Sequence, residues 1–329
     1  MRTSAEAIVV GKQGAPDVIA SFDFFRQHES KARPALHSLT PIAFSRNARF
    51  SSTASSVVDL DHSEHIPSDG NRTRGALVIL HGLFGSKQNW SSLSKAFSKD
   101  LNKPVYALDL RNHGRSPHAL PMTYTQMATD VLHFIQKKEL EGISLLGHSM
   151  GGKVVMSLAL NPSLPPSTLS NLIVADIAPN RGKLSEEFMN YIEAMKKIER
   201  LRLRTRKEAT QVLQEYEKDA SVVAFLLTNI IIPSDSSEHV HFRIPLDILG
   251  DAISEMGSFP YAPGETKFEG RTLFIKGEKS KFINRHNIPT IEAFFPNMKM
   301  QTLDAGHWVH GEKPNEFKKL VEDFIREES

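Results

Sequence analysis

At 329 residues the chain is long enough for one large α/β domain with extensions, and its 40% apolar and 24% charged residues are ordinary for a globular protein. A net charge of +2 creates no field that would recruit nucleic acid or a membrane surface. Cysteine is absent, which excludes disulfides, thiolate metal sites and a cysteine nucleophile, and no apolar run is long enough to span a bilayer.

Residues 1–55 differ from the rest. From Lys31 to Ser56 the basic residues Lys31, Arg33, Arg46 and Arg49 stand among serines with no acidic residue. That composition, with Arg49-Phe50-Ser51-Ser52 resembling a processing step, predicts a mitochondrial import segment and a matrix location. Glu6, Asp17, Asp23 and Glu29 run against the pattern over the first thirty residues.

From residue 56 to 329 the chain reads as one domain. Residues 57–60 are expected to form an early strand and 66–74 a loop. Residues 75–80 read as a buried strand running into His81-Gly82-Leu83-Phe84-Gly85-Ser86. A helix is expected over 90–99 and a strand over 104–108, the latter closing on Asp109-Leu110-Arg111-Asn112-His113-Gly114-Arg115-Ser116. Tyr124, Met127, Ala128, Val131, Leu132 and Ile135 repeat at helical spacing. The run 143–146 is apolar throughout, as in a central strand covered on both faces, and 151–160 has the spacing of a helix.

Between this strand and helix lies Gly147-His148-Ser149-Met150-Gly151. Reversing direction in so few residues strains the central residue and brings strand and helix so close that the flanking positions must be glycine. The serine hydroxyl is lifted clear of the sheet, at the N-terminus of the helix. Residues 172–175 form the next expected strand, ending at Asp176. Between 179 and 269 the alternation of strand and helix stops and a helical cap is expected. Strands at 272–275 and 300–303, a helix near 288–295 and a last helix starting at Pro314 resume the pattern. The sum is a doubly wound, mostly parallel α/β sheet with an inserted helical cap.

The chemistry follows from where the strands end. His307 sits on a loop after the last strand, at the carboxyl edge where ligands collect, and an imidazole there can take and return the Ser149 proton near neutral pH. Two carboxylates compete for the third position. Asp176 ends the strand before the cap, and Glu278 follows the strand after it; Asp176 is favoured, with Ser280 as an auxiliary hydrogen-bond donor. Leu83 and Met150 N–H groups are the expected oxyanion donors, with Phe84 the alternative to Leu83 and His81 a loop-shaping residue.

Five stretches, His81–Lys87, Asp109–Pro117, Gly147–Lys153, Ala175–Pro179 and Ala305–Trp308, together resemble the α/β-hydrolase-domain-containing protein 11 group. That group is similar to bacterial short-acyl esterases and to yeast ethanol acetyltransferases. The resemblance covers residues 77–325 and implies an α/β-hydrolase fold, serine esterase or thioesterase chemistry, and the acid at Asp176. Acyl transfer to an alcohol, from an acyl ester or acetyl-CoA, is the alternative it leaves open. A non-catalytic ligand-binding protein on the same scaffold is the reading from another class.

The substrate is expected to be a small to medium acyl ester or thioester, lined by Phe84, His148, Phe188, Tyr191, Phe225, Leu226, Phe259 and Trp308. The basic residues Lys196, Lys197, Arg200, Arg202, Arg204, Arg206 and Lys207 read as a solvated cap face, with an acidic partner as the sharper alternative. No metal-ligand spacing and no glycine-rich dinucleotide loop is present, so neither metal nor nucleotide cofactor is expected.

Overall fold

The computed structural model describes residues 57–235 and 238–327; the expected import segment, residues 1–55, lies outside them. In chain order the first half comprises β1 (His62–His65), β2 (Leu77–Leu80), α1 (Ser91–Leu101), β3 (Val105–Leu108) and α2 (Tyr124–Lys137). Then come β4 (Ile143–His148), α3 (Met150–Ala159), β5 (Leu169–Ala175), α4 (Glu186–Arg200), α5 (Arg206–Tyr216) and α6 (Ala220–Leu226). A small hairpin, β6 (Ile230–Ile231) and β7 (His241–Phe242), precedes α7 (Leu246–Met256). The chain finishes with β8 (Arg271–Gly277), α8 (Ile288–Phe294), β9 (Met298–Leu303), α9 (Val309–Glu312) and α10 (Pro314–Arg326).

Seven strands form one sheet in the order β1-β3-β2-β4-β5-β8-β9, parallel throughout except for β1. The early strand is displaced from its expected place. Residues 57–60 are irregular, with Val58 and Leu60 turned into the core, and pairing begins only at His62, antiparallel to β3. Apolar burial of those two residues does not need a strand, which is why their pattern misleads.

Alternate residues of the central strands serve two cores, as the period-2 geometry of a strand requires. Val78, Leu80, Leu145, Leu172, Val174 and Phe274 face the layer that contains α2 and α3. Leu77, Ile79, Leu146, Ile173, Ala175, Leu273 and Ile275 face α1 and α10, whose Phe97, Phe317, Val321 and Ile325 close the other side. A sheet buried on both faces explains the unbroken apolar runs in the sequence. Among the described residues no helix is long and apolar enough to cross a membrane.

Four helices and the small hairpin are inserted between β5 and β8. Their entry and exit are stitched together at a buried lysine. Lys153, on α3, donates from Nζ to the carbonyls of Asn180 (2.9 Å), Ser258 (2.8 Å) and Gly257 (3.4 Å). Its ammonium lies 5.4 Å from the Tyr124 ring centre, and the Tyr124 hydroxyl donates to Met256 O (2.8 Å). Gly182 N–H to Gly257 O (2.9 Å) and Arg181 Nε to Phe259 O (2.8 Å) complete the seam. The helix that begins at Ser149 is thereby tied to both roots of the insertion.

Burial pulls the Lys153 ammonium down to about 8 from 10.5. Between those values the unfolded chain binds more protons than the folded one, so this group makes stability rise as pH climbs from about 8 toward 10.5. Tyr124 and Tyr191 are pushed up by burial and act in the opposite sense above pH ~10. They are present in both proteins and cancel in a difference. Urea midpoints for the wild type and Lys153→Met should therefore diverge upward for the wild type across this range; parallel curves would show that the amine is not desolvated.

Candidate active site

The bend between β4 and α3 sets Ser149 at φ 53°, ψ −117°. A left-handed φ is costly for a residue with a side chain and persists only where its surroundings enforce it. Backbone does so here. A Cβ on Gly147 would lie 2.3 Å from the Gly151 carbonyl oxygen, and one on Gly151 would lie 2.5 Å from that of His81. Ser149 N–H donates to Ala175 O (3.1 Å), fixing the bend to the next strand. The hydroxyl is left half-buried at the carboxyl edge of the sheet.

Two residues from other strand ends meet it. Ser149 Oγ–H donates to His307 Nε2 (2.9 Å), and His307 Nδ1–H donates to Asp176 Oδ2 (2.8 Å). Asp176 is fully buried, with φ 50°, directly after β5. Gly277 N–H donates to its Oδ1 (2.9 Å) and the Ser280 hydroxyl to its Oδ2. A buried carboxylate is tolerable only with such donors. Glu278 is exposed on the same turn and makes no hydrogen bond to the imidazole.

The His307 loop is held from several directions. Lys279 N–H donates to Ala305 O (3.0 Å), Gly306 N–H to the Glu312 carboxylate (2.7 Å), and His148 Nε2–H to His307 O (2.9 Å). A Cβ on Gly277 would stand 2.0 Å from Gly306 O, so β8 and this loop touch through bare backbone. The Phe282 ring lies over the imidazole at 4.0 Å between centroids.

The loop after β2 forms the opposite wall. His81 Nε2 accepts from Leu110 N–H (3.0 Å) while its Nδ1–H donates to Gly82 O (2.8 Å). His113 is used the same way: Nε2 accepts from Phe84 N–H (3.2 Å) and Nδ1–H donates to Arg111 O (3.0 Å). Burial pulls both imidazoles toward the neutral form, His113 down to about 3. Phe84, at φ 62°, also has its carbonyl occupied, by Asn229 Nδ2 from the insertion (2.8 Å).

Spacing leaves Leu83 and Phe84 as alternatives, and their N–H groups differ in hydrogen bonding. The Phe84 N–H is committed to His113, whereas the N–H groups of Leu83 and Met150 have no acceptor among the described residues. The 82–83 backbone runs beside the serine, since a Cβ on Gly82 would fall 3.3 Å from Ser149 Cβ.

A cavity of ≈ 250 Å³ opens on Ser149 and His307. Phe84, His148, Phe188, Tyr191, Phe225, Leu226 and Trp308 line it, and so do Val222 and Phe282, which the sequence reading missed. Phe282 is an aromatic directly after the charged stretch 278–281, and that contrast was the available signal. Phe259 does not line the cavity. It is buried in the core at the return of the insertion, 5.5 Å from the Phe294 ring, and an apolar residue there packs against α8. The Tyr191 hydroxyl is held by Glu217. In the basic run, Lys196 pairs with Asp247 (2.9 Å) and Lys197 with Glu215 (2.6 Å), as on a solvated helix face.

A hydroxyl, an imidazole and a carboxylate in hydrogen-bonded series, opening on a largely apolar cavity, can carry out nucleophilic acyl chemistry. Among the described residues no cluster of histidines and acids is arranged to hold a metal ion.

Comparison with known proteins agrees in kind. The model of the alpha/beta hydrolase fold family matches residues 75–314. A protein of Saccharomyces cerevisiae named as a probable alcohol acetyltransferase is 40% identical, over 78% of this chain and 79% of that one. The sn-1-specific diacylglycerol lipase ABHD11 of Mus musculus is 36% identical, over 78% and 83% respectively. The solved structure of an esterase from a marine microorganism is 34% identical, with a TM-score of 0.73 and coverage of 81% and 99%.

Asn229 fixes the Phe84 carbonyl, two peptides beyond the Leu83 N–H. Asn229→Ala should lower kcat for a short acyl ester by about tenfold, a fraction of what losing a whole oxyanion donor costs, with KM little changed. A rise in KM at constant kcat would place Asn229 in substrate binding instead.

Proposed function

The chain belongs to the alpha/beta hydrolase fold family, and on that premise we propose that it is a serine hydrolase acting through an acyl-Ser149 intermediate on small to medium acyl esters or thioesters. His307 takes the Ser149 proton as Oγ attacks the carbonyl carbon, then delivers it to the leaving alcohol or thiol. Asp176 holds the ring so that Nε2 faces the serine and stabilises the imidazolium, and Ser280 and Gly277 N–H orient that carboxylate. Leu83 and Met150 N–H groups receive the oxyanion, each contributing about 3 kcal/mol to lowering the barrier. Water completes the cycle by attacking the acyl-enzyme, with His307 again as base.

The observation that carries this reading is the series Ser149–His307–Asp176 at 2.9 and 2.8 Å. The cavity, at ≈ 250 Å³, is below the ~300–1,000 Å³ of sites for drug-sized ligands, which supports a short or medium acyl group. The likeness to an esterase and to a diacylglycerol lipase supports an ester as substrate. Transfer of the acyl group to an alcohol is the second reading, favoured by the 40% identical relative named as an acetyltransferase. The basic, serine-rich stretch 31–56 supports mitochondrial import.

A fluorophosphonate probe should label the wild type at Ser149 and leave Ser149→Ala unlabelled. Asp176→Asn should lower kcat by about 10⁴ through loss of the correct tautomer. Labelling that persists in Ser149→Ala would sink the nucleophile assignment. Acid and ester products, quantified after turnover of an acyl ester in ethanol, separate hydrolysis from transfer. Residues 1–56 fused to a fluorescent protein should direct it to mitochondria, and a cytosolic signal would refute import.

A further inference from the structure

Helix α4 begins with two adjacent glutamates whose surroundings differ. Glu186 does not line the catalytic cavity and pairs with Lys183 (3.1 Å). Glu187 does line the cavity that opens on Ser149, one helical turn before Tyr191 on the same face. Its carboxylate has no ion pair and no hydrogen bond among the described residues. Glu187 is exposed as well as cavity-lining, so it stands where the cavity meets solvent.

No other carboxylate borders this cavity, and no lysine or arginine does. Of the four imidazoles there, those of His81, His148 and His310 are drawn toward the neutral form by burial, and the fourth, His307, is the base. The field of Glu187 is felt at the wall: burial pushes the Tyr191 phenol up, and Glu217, Glu187 and Asp219 push it the same way. The rest of the lining is rich in rings, namely Phe84, Phe188, Tyr191, Phe225, Phe282 and Trp308. Ring faces carry partial negative charge, so an ammonium group is attracted both by them and by the carboxylate, and an anion is repelled by both.

We propose that Glu187 sets the charge preference of the active site, favouring esters whose alcohol part carries an ammonium group, accepting neutral ones and turning away anionic ones. The inference rests on the acyl-Ser149 reading above. A short acyl group fills the apolar interior beside the buried Leu226, which leaves the alcohol part of the ester facing the mouth and Glu187. Because Glu187 is exposed, water and salt weaken its field, and the preference is graded rather than absolute.

The test is turnover of p-nitrophenyl acetate by the full chain with one of three acetyl esters added as competitor. The first is acetylcholine. The second is its uncharged isostere, in which a tert-butyl group replaces trimethylammonium, and the third is acetyl isethionate, in which a sulfonate replaces it. At ~10 mM salt the inhibition constants of the wild type should rise in that order, by about fivefold at each step. At ~1 M salt the spread should shrink to about twofold. In Glu187→Gln the first two constants should come within about twofold of each other at low salt, and Glu187→Lys should invert the order. Glu186→Gln, which leaves the cavity lining as it is, should keep the wild-type spread.

Equal constants for the three esters in the wild type at low salt, or competition by none of them, would overturn the proposal without any variant. So would a wild-type spread in Glu187→Gln. An equal loss of spread in Glu186→Gln would overturn it too, by assigning the preference to the general surface field. Absence of fluorophosphonate labelling at Ser149 would instead remove the acyl-serine reading, and this inference with it.

Discussion

Helix α3 lies so close to the ends of β4 and β2 that neither residue 147 nor residue 151 has room for a side chain, and the rest of the site depends on those contacts. They place Ser149 in a left-handed conformation at the centre of the sheet. They also point the first N–H groups of α3 at the space above the hydroxyl. The strain is stored by packing on both sides of the bend, through the two buried faces of the central strands. A looser sheet would let the bend relax and the hydroxyl swing away.

Electrostatics then isolates one pair of groups. Burial pulls His81, His113, His148 and His310 toward their neutral forms, so four imidazoles near the nucleophile act as fixed donors and acceptors. Asp176 is the only charged group hydrogen-bonded to the His307 ring among the described residues. The carboxylate in turn has donors from a backbone N–H and a hydroxyl, which satisfy its oxygens where no solvent reaches it. The insertion reaches this arrangement at two separate points, Asn229 on the Phe84 carbonyl and Lys153 beneath the roots of its helices. The wall that faces the acyl group is thus mechanically continuous with the loop that faces the oxyanion.

Much of this was legible in the sequence because it rests on local rules. Gly147 and Gly151 around Ser149 state a steric requirement, and uninterrupted apolar runs state burial on both faces. His307 could be placed because the end of the last strand fixes an edge of the sheet. Asp176 could be preferred to Glu278 because Ser280 stands where the strand after the insertion would otherwise offer its carboxylate, and the resemblance pointed the same way; the coordinates separate the two by burial. What was not legible depends on contacts between distant segments. Nothing local marks Asn229 as a partner of Phe84, or Phe282 as a ring against His307. Phe259 and residues 57–60 erred for one reason: an apolar residue must be buried, but its sequence does not say in which wall or in which secondary structure.

The same three side chains would serve water or an alcohol, so specificity for the acceptor has to arise elsewhere in the cavity. The apolar wall supplied by α4 and α6 excludes bulk water from the acyl group and disfavours random attack. Discrimination between water and a small alcohol then depends on the shape of the cavity beside Ser149, because both present the same O–H to the same base. A hydrophobic contact distinguishes them by roughly 1 kcal/mol for each methylene, which is modest beside the concentration of water. A change from hydrolysis to transfer would therefore arise in the residues bounding the cavity, with the nucleophile, base and acid left as they are.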